Sequence, residues 1–172
     1  MAFTASAIFQ QAMINPLMQS SWTTAVPTTY ANLSADTINV ALYGNSGTPD
    51  KTDTAAHTGY NAAGGQWVVA NETNGGANWP AGGLPLAGKT FTIDTGSSSI
   101  CFHGTNLAGT GNVTVTAAFG CLVYDNTITV PSKQGICFNY FGGTQSVTAG
   151  TFTILWATPG GGAITAVFNV TV

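Results

Sequence analysis

The chain has 172 residues, of which only 5% are Asp, Glu, Lys or Arg; three are Lys, none is Arg, and the net charge is -3. An average soluble domain carries about a quarter charged residues. So low a charge excludes the Lys/Arg stripe through which proteins hold nucleic acid, and it suits a surface that packs against other protein, where each buried charge is a penalty. No apolar run reaches the roughly 18 residues that a membrane-spanning helix needs.

The first residues lack the positive charge that opens a signal peptide, so the chain is expected to start as mature protein made in a cytoplasm. Residues 5–21 are the one helix expected. Ile8, Phe9, Ala12, Met13 and Leu17 recur at helical spacing, Ser6 stands at the cap, and Pro16 limits the end. The apolar stripe docks either on its own domain or, as an arm, on a neighbouring subunit, which makes Ile8, Phe9, Met13 and Leu17 candidate interface residues. Residues 1–31 are accordingly expected to form an N-terminal arm, and residues 32–172 a β-sandwich domain.

Thr37 to Tyr43 alternates Ile38, Val40 and Leu42 with Asn39, Ala41 and Tyr43, the pattern of a half-buried strand. A long loop follows, then a short strand over residues 66–70 that carries Trp67. Residues 71–83, rich in Gly and Asn, read as a surface loop, with Trp79 exposed in it as a further candidate contact. Residues 89–94 alternate with Phe91 and Ile93 on one face, and residues 99–103 form the next strand. Residues 113–124 are long for a strand, and Gly120 marks a bulge or bend within it. Residues 135–141 form a strand ended by Gly142 and Gly143. Residues 150–156, a turn at Pro159 to Gly162, and residues 163–172 read as a terminal hairpin. Eight or nine strands separated by Gly-rich turns give an all-β fold, an antiparallel β-sandwich or jelly roll with a short N-terminal helical arm.

Groups that change charge or attack a substrate are few. Cys101 and His103 share a strand face at a spacing that begins a metal site, with no further ligand in sequence to complete it. Asp50 and Asp53 lack the spacing of an EF-hand, and neither a nucleophile elbow nor a phosphate loop occurs. No catalytic residue, metal site or cofactor is expected. Cys101, Cys121 and Cys137 are odd in number and lack a CxxC. They read as reduced, buried side chains, with a Cys121–Cys137 bridge as the alternative. Trp67 and Trp156 fall in strand patterns and read as core.

Five stretches, in order over residues 36–157, resemble a group of small structural proteins of tailed-phage virions. They are Asp36-Thr-Ile-Asn-Val through Pro49, Thr58-Gly-Tyr through Gly65, Gly88-Lys-Thr-Phe-Thr-Ile-Asp94, Val123-Tyr-Asp125 and Ala149-Gly-Thr-Phe-Thr-Ile-Leu-Trp156. The resemblance implies a virion component without catalytic residues: a capsid decoration, or cement, protein on the capsid surface. Its implied partners are the major capsid protein and copies of itself in a trimer, with no nucleic acid and no membrane. A tail or tail-tip component that contacts host glycan or receptor, with Trp79 as the sugar contact, is the alternative.

Overall fold

The computed structural model describes residues 5–10, 32–158 and 165–171. In chain order its elements are β1 (Ala7–Ile8), β2 (Ile38–Tyr43), the short helix α1 (Ala55–Thr58), β3 (Leu84–Pro85), β4 (Thr90–Asp94), β5 (Ser99–His103), β6 (Leu107–Ala108), β7 (Val113–Asp125), β8 (Gly135–Gly150), β9 (Thr153–Ile154) and β10 (Phe168–Thr171). They make a five-stranded sheet in the order β1-β8-β7-β2-β3, a three-stranded sheet β10-β5-β4 and a two-stranded sheet β6-β9. Every pairing is antiparallel. The all-β, sandwich-like architecture read from the sequence is the architecture observed.

The large sheet has two apolar faces because its central strands alternate between two kinds of hydrophobe. Val40, Val123, Cys137 and Ile8 form one row across β2, β7, β8 and β1, and Ala41, Leu122, Phe138 and Ala7 form the row on the opposite face. The first face packs against the two small sheets, in one cluster with Phe102, Leu107, Ile154 and Trp156. The second face is covered by irregular chain, which contributes Phe9, Tyr60 and Trp67. β2 is therefore buried on both sides rather than half-buried: Ala41 and Tyr43, expected to face solvent, lie in this second cluster.

Four expectations are corrected. The helix expected from residue 5 begins instead as strand β1, whose Ala7 and Ile8 pair with Phe138 and Cys137. The side chains of residues 7–9 alternate between the two sheet faces, so a strand buries both Ile8 and Phe9, which a helical turn could not do. The Phe9 N–H donates to the Ile136 carbonyl (3.0 Å) and the Gln10 N–H to the Lys51 carbonyl (3.0 Å). This stretch is thus part of the domain and not a separate arm; Met13 and Leu17 lie outside the described residues. The strand expected over residues 66–70 is absent, and a 3-10 turn runs from Val69 to Asn71. Gly142 and Gly143 do not end a strand. They lie in an irregular stretch of β8 where the register with β7 shifts between Ala118–Gln145 and Gly120–Tyr140, the bulge expected near Gly120. Among the described residues the two arms of the expected terminal hairpin do not pair as strands: β9 pairs with β6 and β10 crosses to the edge of β5, while the Ala166 N–H donates to the Ala157 carbonyl (2.9 Å).

Close backbone approach explains two glycines. Gly83 has φ +76° where the chain crosses β2, and a Cβ there would overlap the Val40 carbonyl. Gly135 lies against the Thr58 carbonyl and the Phe9 ring, so a side chain would push apart the N-terminal strand and α1.

Two carboxyls meet where β2 and β7 end. Asp125 is fully buried, and its Oδ1 accepts the N–H groups of Thr127 (2.8 Å) and Ile128 (3.2 Å). Burial, with the neighbouring Asp36 carboxyl, pushes its pKa up to about 6. Asp36 is itself held by the Asn32 N–H on Oδ2 (2.7 Å), while Lys89 Nζ donates to the Asp36 carbonyl and not to either carboxyl.

The packing of Phe9 predicts that Phe9→Ala destabilises the domain by about 3–5 kcal/mol, the range for a fully buried aromatic, measured by urea unfolding. A separate arm would give a change near zero. A second expectation concerns pH. The folded chain holds the Asp125 proton more tightly than the unfolded chain, whose Asp titrates near pH 4. Stability should therefore fall as pH rises from about 4 toward about 6. Asp125→Asn should flatten that part of the pH profile and raise stability at pH 7 by on the order of 2 kcal/mol, since one pKa unit is worth about 1.4 kcal/mol; thermal unfolding from pH 4 to 7 measures both.

Candidate interaction surface

Of the contact residues proposed from sequence, Phe9 and Trp79 are core, Ile8 is half-buried, and Met13 and Leu17 lie outside the described residues. Phe9 is fully buried, its ring edge-on to Trp67 (centroids 6.0 Å) and Phe138 (5.4 Å). Ile8 is half-buried against the cluster between the sheets. Trp79, expected exposed, is fully buried and stands edge-on to Phe152 at 5.5 Å. A 3-10 turn over Gly76–Asn78 aims it inward, closed by the Gly75 N–H on the Trp79 carbonyl (2.8 Å) and the Trp79 N–H on the Gly76 carbonyl (3.2 Å). Asn78 ties the turn down. Its carbonyl accepts the Thr110 N–H (3.2 Å) and its Nδ2 donates to the Asn112 carbonyl (3.0 Å). Gly75 and Gly83 of this segment serve close approach: a Cβ at Gly75 would press on Val113, and one at Gly83 on the Val40 carbonyl.

The same segment carries a polar cluster that sequence reading passed over. Glu72 bridges to the end of β2 opposite Tyr43. Its carboxylate accepts the Tyr60 hydroxyl (2.8 Å) and the Gly82 N–H (2.8 Å). The Tyr124 hydroxyl donates to the Gly82 carbonyl (2.8 Å), and the Tyr43 hydroxyl to the Trp67 carbonyl (2.6 Å). Tyr60 and Tyr124 stack with centroids 5.0 Å apart, and Lys133 Nζ lies 5.2 Å above the Tyr60 ring. Burial raises the pKa of Glu72 and of all three tyrosines, Tyr124 to about 12. These hydroxyls stay protonated and act as hydrogen-bond donors. The cluster ties Tyr60, Glu72 and Gly82 together beside Tyr124 on the second face of the large sheet. The only sequence trace of it is three tyrosines and one Glu in a chain that has so few charges.

The chemistry-bearing residues do not converge. His57 Nδ1 lies 3.2 Å from Asp53 Oδ1 one helical turn away. The Asp50 carboxylate is bonded within its own turn by Thr52, which lowers its pKa. His103 Nδ1 lies 2.8 Å from the Thr165 carbonyl, and Cys101 is buried beside it in β5. Cys101, Cys121 and Cys137 are free thiols, and burial pushes Cys121 up to about 12. Among the described residues no three His, Cys, Asp or Glu side chains gather around one point.

The exposed features are apolar instead. On the three-stranded sheet Phe91 is 50% exposed, Ile93 72% and Ile100 40%, and Leu155 beyond β9 is 71% exposed. An open concavity of about 600 Å³ lies between β8 and β9, lined by Tyr140, Phe141, Gln145, Ser146 and Thr151 to Leu155. Sequence alternation had placed Phe91 and Ile93 together on one face but carried no sign that the strand lies at an edge. No family model, curated protein or solved structure matches the chain.

Proposed function

We propose that the protein is a structural component of a tailed-phage virion, a decoration or cement protein on the capsid surface. Its partners in this reading are the major capsid protein and copies of itself, with a trimer as the unit and no nucleic acid or membrane bound. The observation that carries it is the surface: large apolar side chains stand exposed at Phe91, Ile93 and Leu155 on a chain with only nine charged residues. Such a surface has little charge to repel its neighbours, and apolar patches of this kind mark contact sites. The family resemblance over residues 36–157 supports the same class.

The mechanism is mechanical. Each copy bound across neighbouring shell subunits favours the assembled state by mass action, so many copies together resist the outward pressure of packed DNA. A tail-tip component contacting host glycan is the second reading. Burial of Trp79 removes the sugar contact first assigned to it, and the concavity with Tyr140, Phe141 and hydroxyl side chains takes its place.

Particles lacking the protein should assemble but release their genome at a lower temperature than complete particles, and purified protein should restore the difference. DNA binding by the isolated protein should be undetectable even at low salt. Equal release temperatures combined with lost adsorption to host cells would favour the tail reading.

A further inference from the structure

Strand β4 is one of the two edges of the three-stranded sheet, the other being β10: it pairs with β5 alone among the described residues. Edge strands are a hazard that proteins blunt by shortness, proline or charge. Of the other edges, β1, β3, β6 and β9 have two residues each and β3 contains Pro85, whereas β10, the opposite edge of this sheet, has four residues, Phe-Asn-Val-Thr, with neither proline nor charge. β4 has five residues, Thr-Phe-Thr-Ile-Asp, with no proline and its one charge, Asp94, at its last position. Asp94 and the preceding Lys89 are turned inward. The Lys89 ammonium donates to the Asp36 carbonyl, and Asp94, buried, accepts the Gly96 N–H (3.0 Å).

One face of this sheet is apolar across all three strands. Register places Phe91, Phe102 and Phe168 in one row and Ile93, Ile100 and Val170 in the next. The phenylalanine row is in mutual ring contact, with centroids 5.2–6.2 Å apart, and Phe102 reaches the core. The isoleucine row projects beyond the domain, with Ile93 the most exposed large apolar residue described.

We propose that β4 is a homotypic contact: it pairs antiparallel with β4 of a second copy about a two-fold axis through Thr92. The strand is self-complementary in that register. Phe91 falls opposite the copy's Ile93 and Thr92 opposite Thr92, while Thr90 meets Asp94, so no charge opposes a like charge. The pairing extends each three-stranded sheet into one of six strands, gives partners to main-chain groups of Thr90 to Ile93 on the side turned away from β5, and joins the exposed apolar faces side by side. A self-matching patch of this kind is what a two-fold interface requires. The contact deepens the proposed function by naming where copies meet. It joins units in pairs and so links one oligomer to the next on a shell.

The test is made in solution with the full chain, independently of any particle. Sedimentation should give an assembly whose mass is halved by Ile93→Lys and kept by Ile93→Val; position 93 is exposed, so both variants should fold as judged by circular dichroism. Two residues facing across the axis have Cα atoms about 4.5–5.5 Å apart, within disulfide range. Thr92→Cys should therefore form a covalent dimer on oxidation. Cys101, which is the register partner of Thr92 within the sheet, is replaced first by Ala. A wild-type monomer throughout the micromolar range would overturn the proposal, as would an oligomer indifferent to Ile93→Lys or a Thr92→Cys variant that stays uncrosslinked. In a monomer, β4 amides protected from hydrogen exchange would assign the edge to the chain's own residues 11–31, and unprotected ones to a different protein. A failure here would leave the virion reading to its own particle test.

Discussion

Strands β2 and β7 are apolar on both faces, and most of the molecule is placed by the need to cover them twice. On one side Val40, Leu42, Cys121 and Val123 are met by two small sheets, which bring Phe102, Leu107 and Ile154. On the other side Ala41, Leu122 and Tyr124 have no sheet to meet. Irregular chain does the covering there, with Trp67 and Tyr60 laid on the strands and Phe9 drawn in from the N-terminus. Irregular backbone cannot satisfy its own polar groups as a sheet does. That need accounts for the hydrogen-bonded cluster around Glu72: its carboxylate and the Gly82 peptide take up the tyrosine hydroxyls and a backbone N–H that burial would otherwise strand.

Covering the second face with loop has a consequence for the surface. The Gly- and Asn-rich stretch, which could have been a mobile contact loop, is committed to the core through Trp79 and the Asn78 turn. The large apolar side chains left in solvent stand instead at edges and at the ends of the small sheets, at Phe91, Ile93 and Leu155. A chain with only nine charged residues has few means of keeping such edges apart. In the assembling structural role proposed above, that weakness of a lone molecule would be put to use.

Much of this was legible from residues alone. The strands at 38–43, 90–94, 99–103 and 113–125 follow from period-two alternation, and the bulge near Gly120 from a glycine inside a long strand. What escaped was long-range. Ala41 and Tyr43 look like an outward face because Ala and Tyr are tolerated in solvent; only the Trp67 ring 5.0 Å from Tyr43 makes them core. Ile8 and Phe9 match helical spacing with Met13 and Leu17, yet an open edge of β8 recruits them as strand, a tertiary demand invisible in local pattern. Trp79 between glycines resembles an exposed loop residue, and the same glycines are what let its backbone approach the core. The residues at 8, 9 and 79 can thus be recognised from sequence as side chains that need cover, while what covers them stays open, since hydrophobicity measures the need for burial and not which surface supplies it.

The claim that carries this account is that residues 59–83 are an integral part of the core, with Tyr60 and Trp67 on the second face and Trp79 in the cluster between the sheets, and not a detachable loop. Native-state hydrogen exchange tests it directly. The amides of Tyr60, Asn61, Thr73, Gly75 and Gly83, all hydrogen-bonded to backbone carbonyls, should open with the same free energy and denaturant dependence as those of β2 and β7, because segment and strands unfold together. Exchange of these amides through low-energy openings, while β2 and β7 stay fully protected, would contradict it.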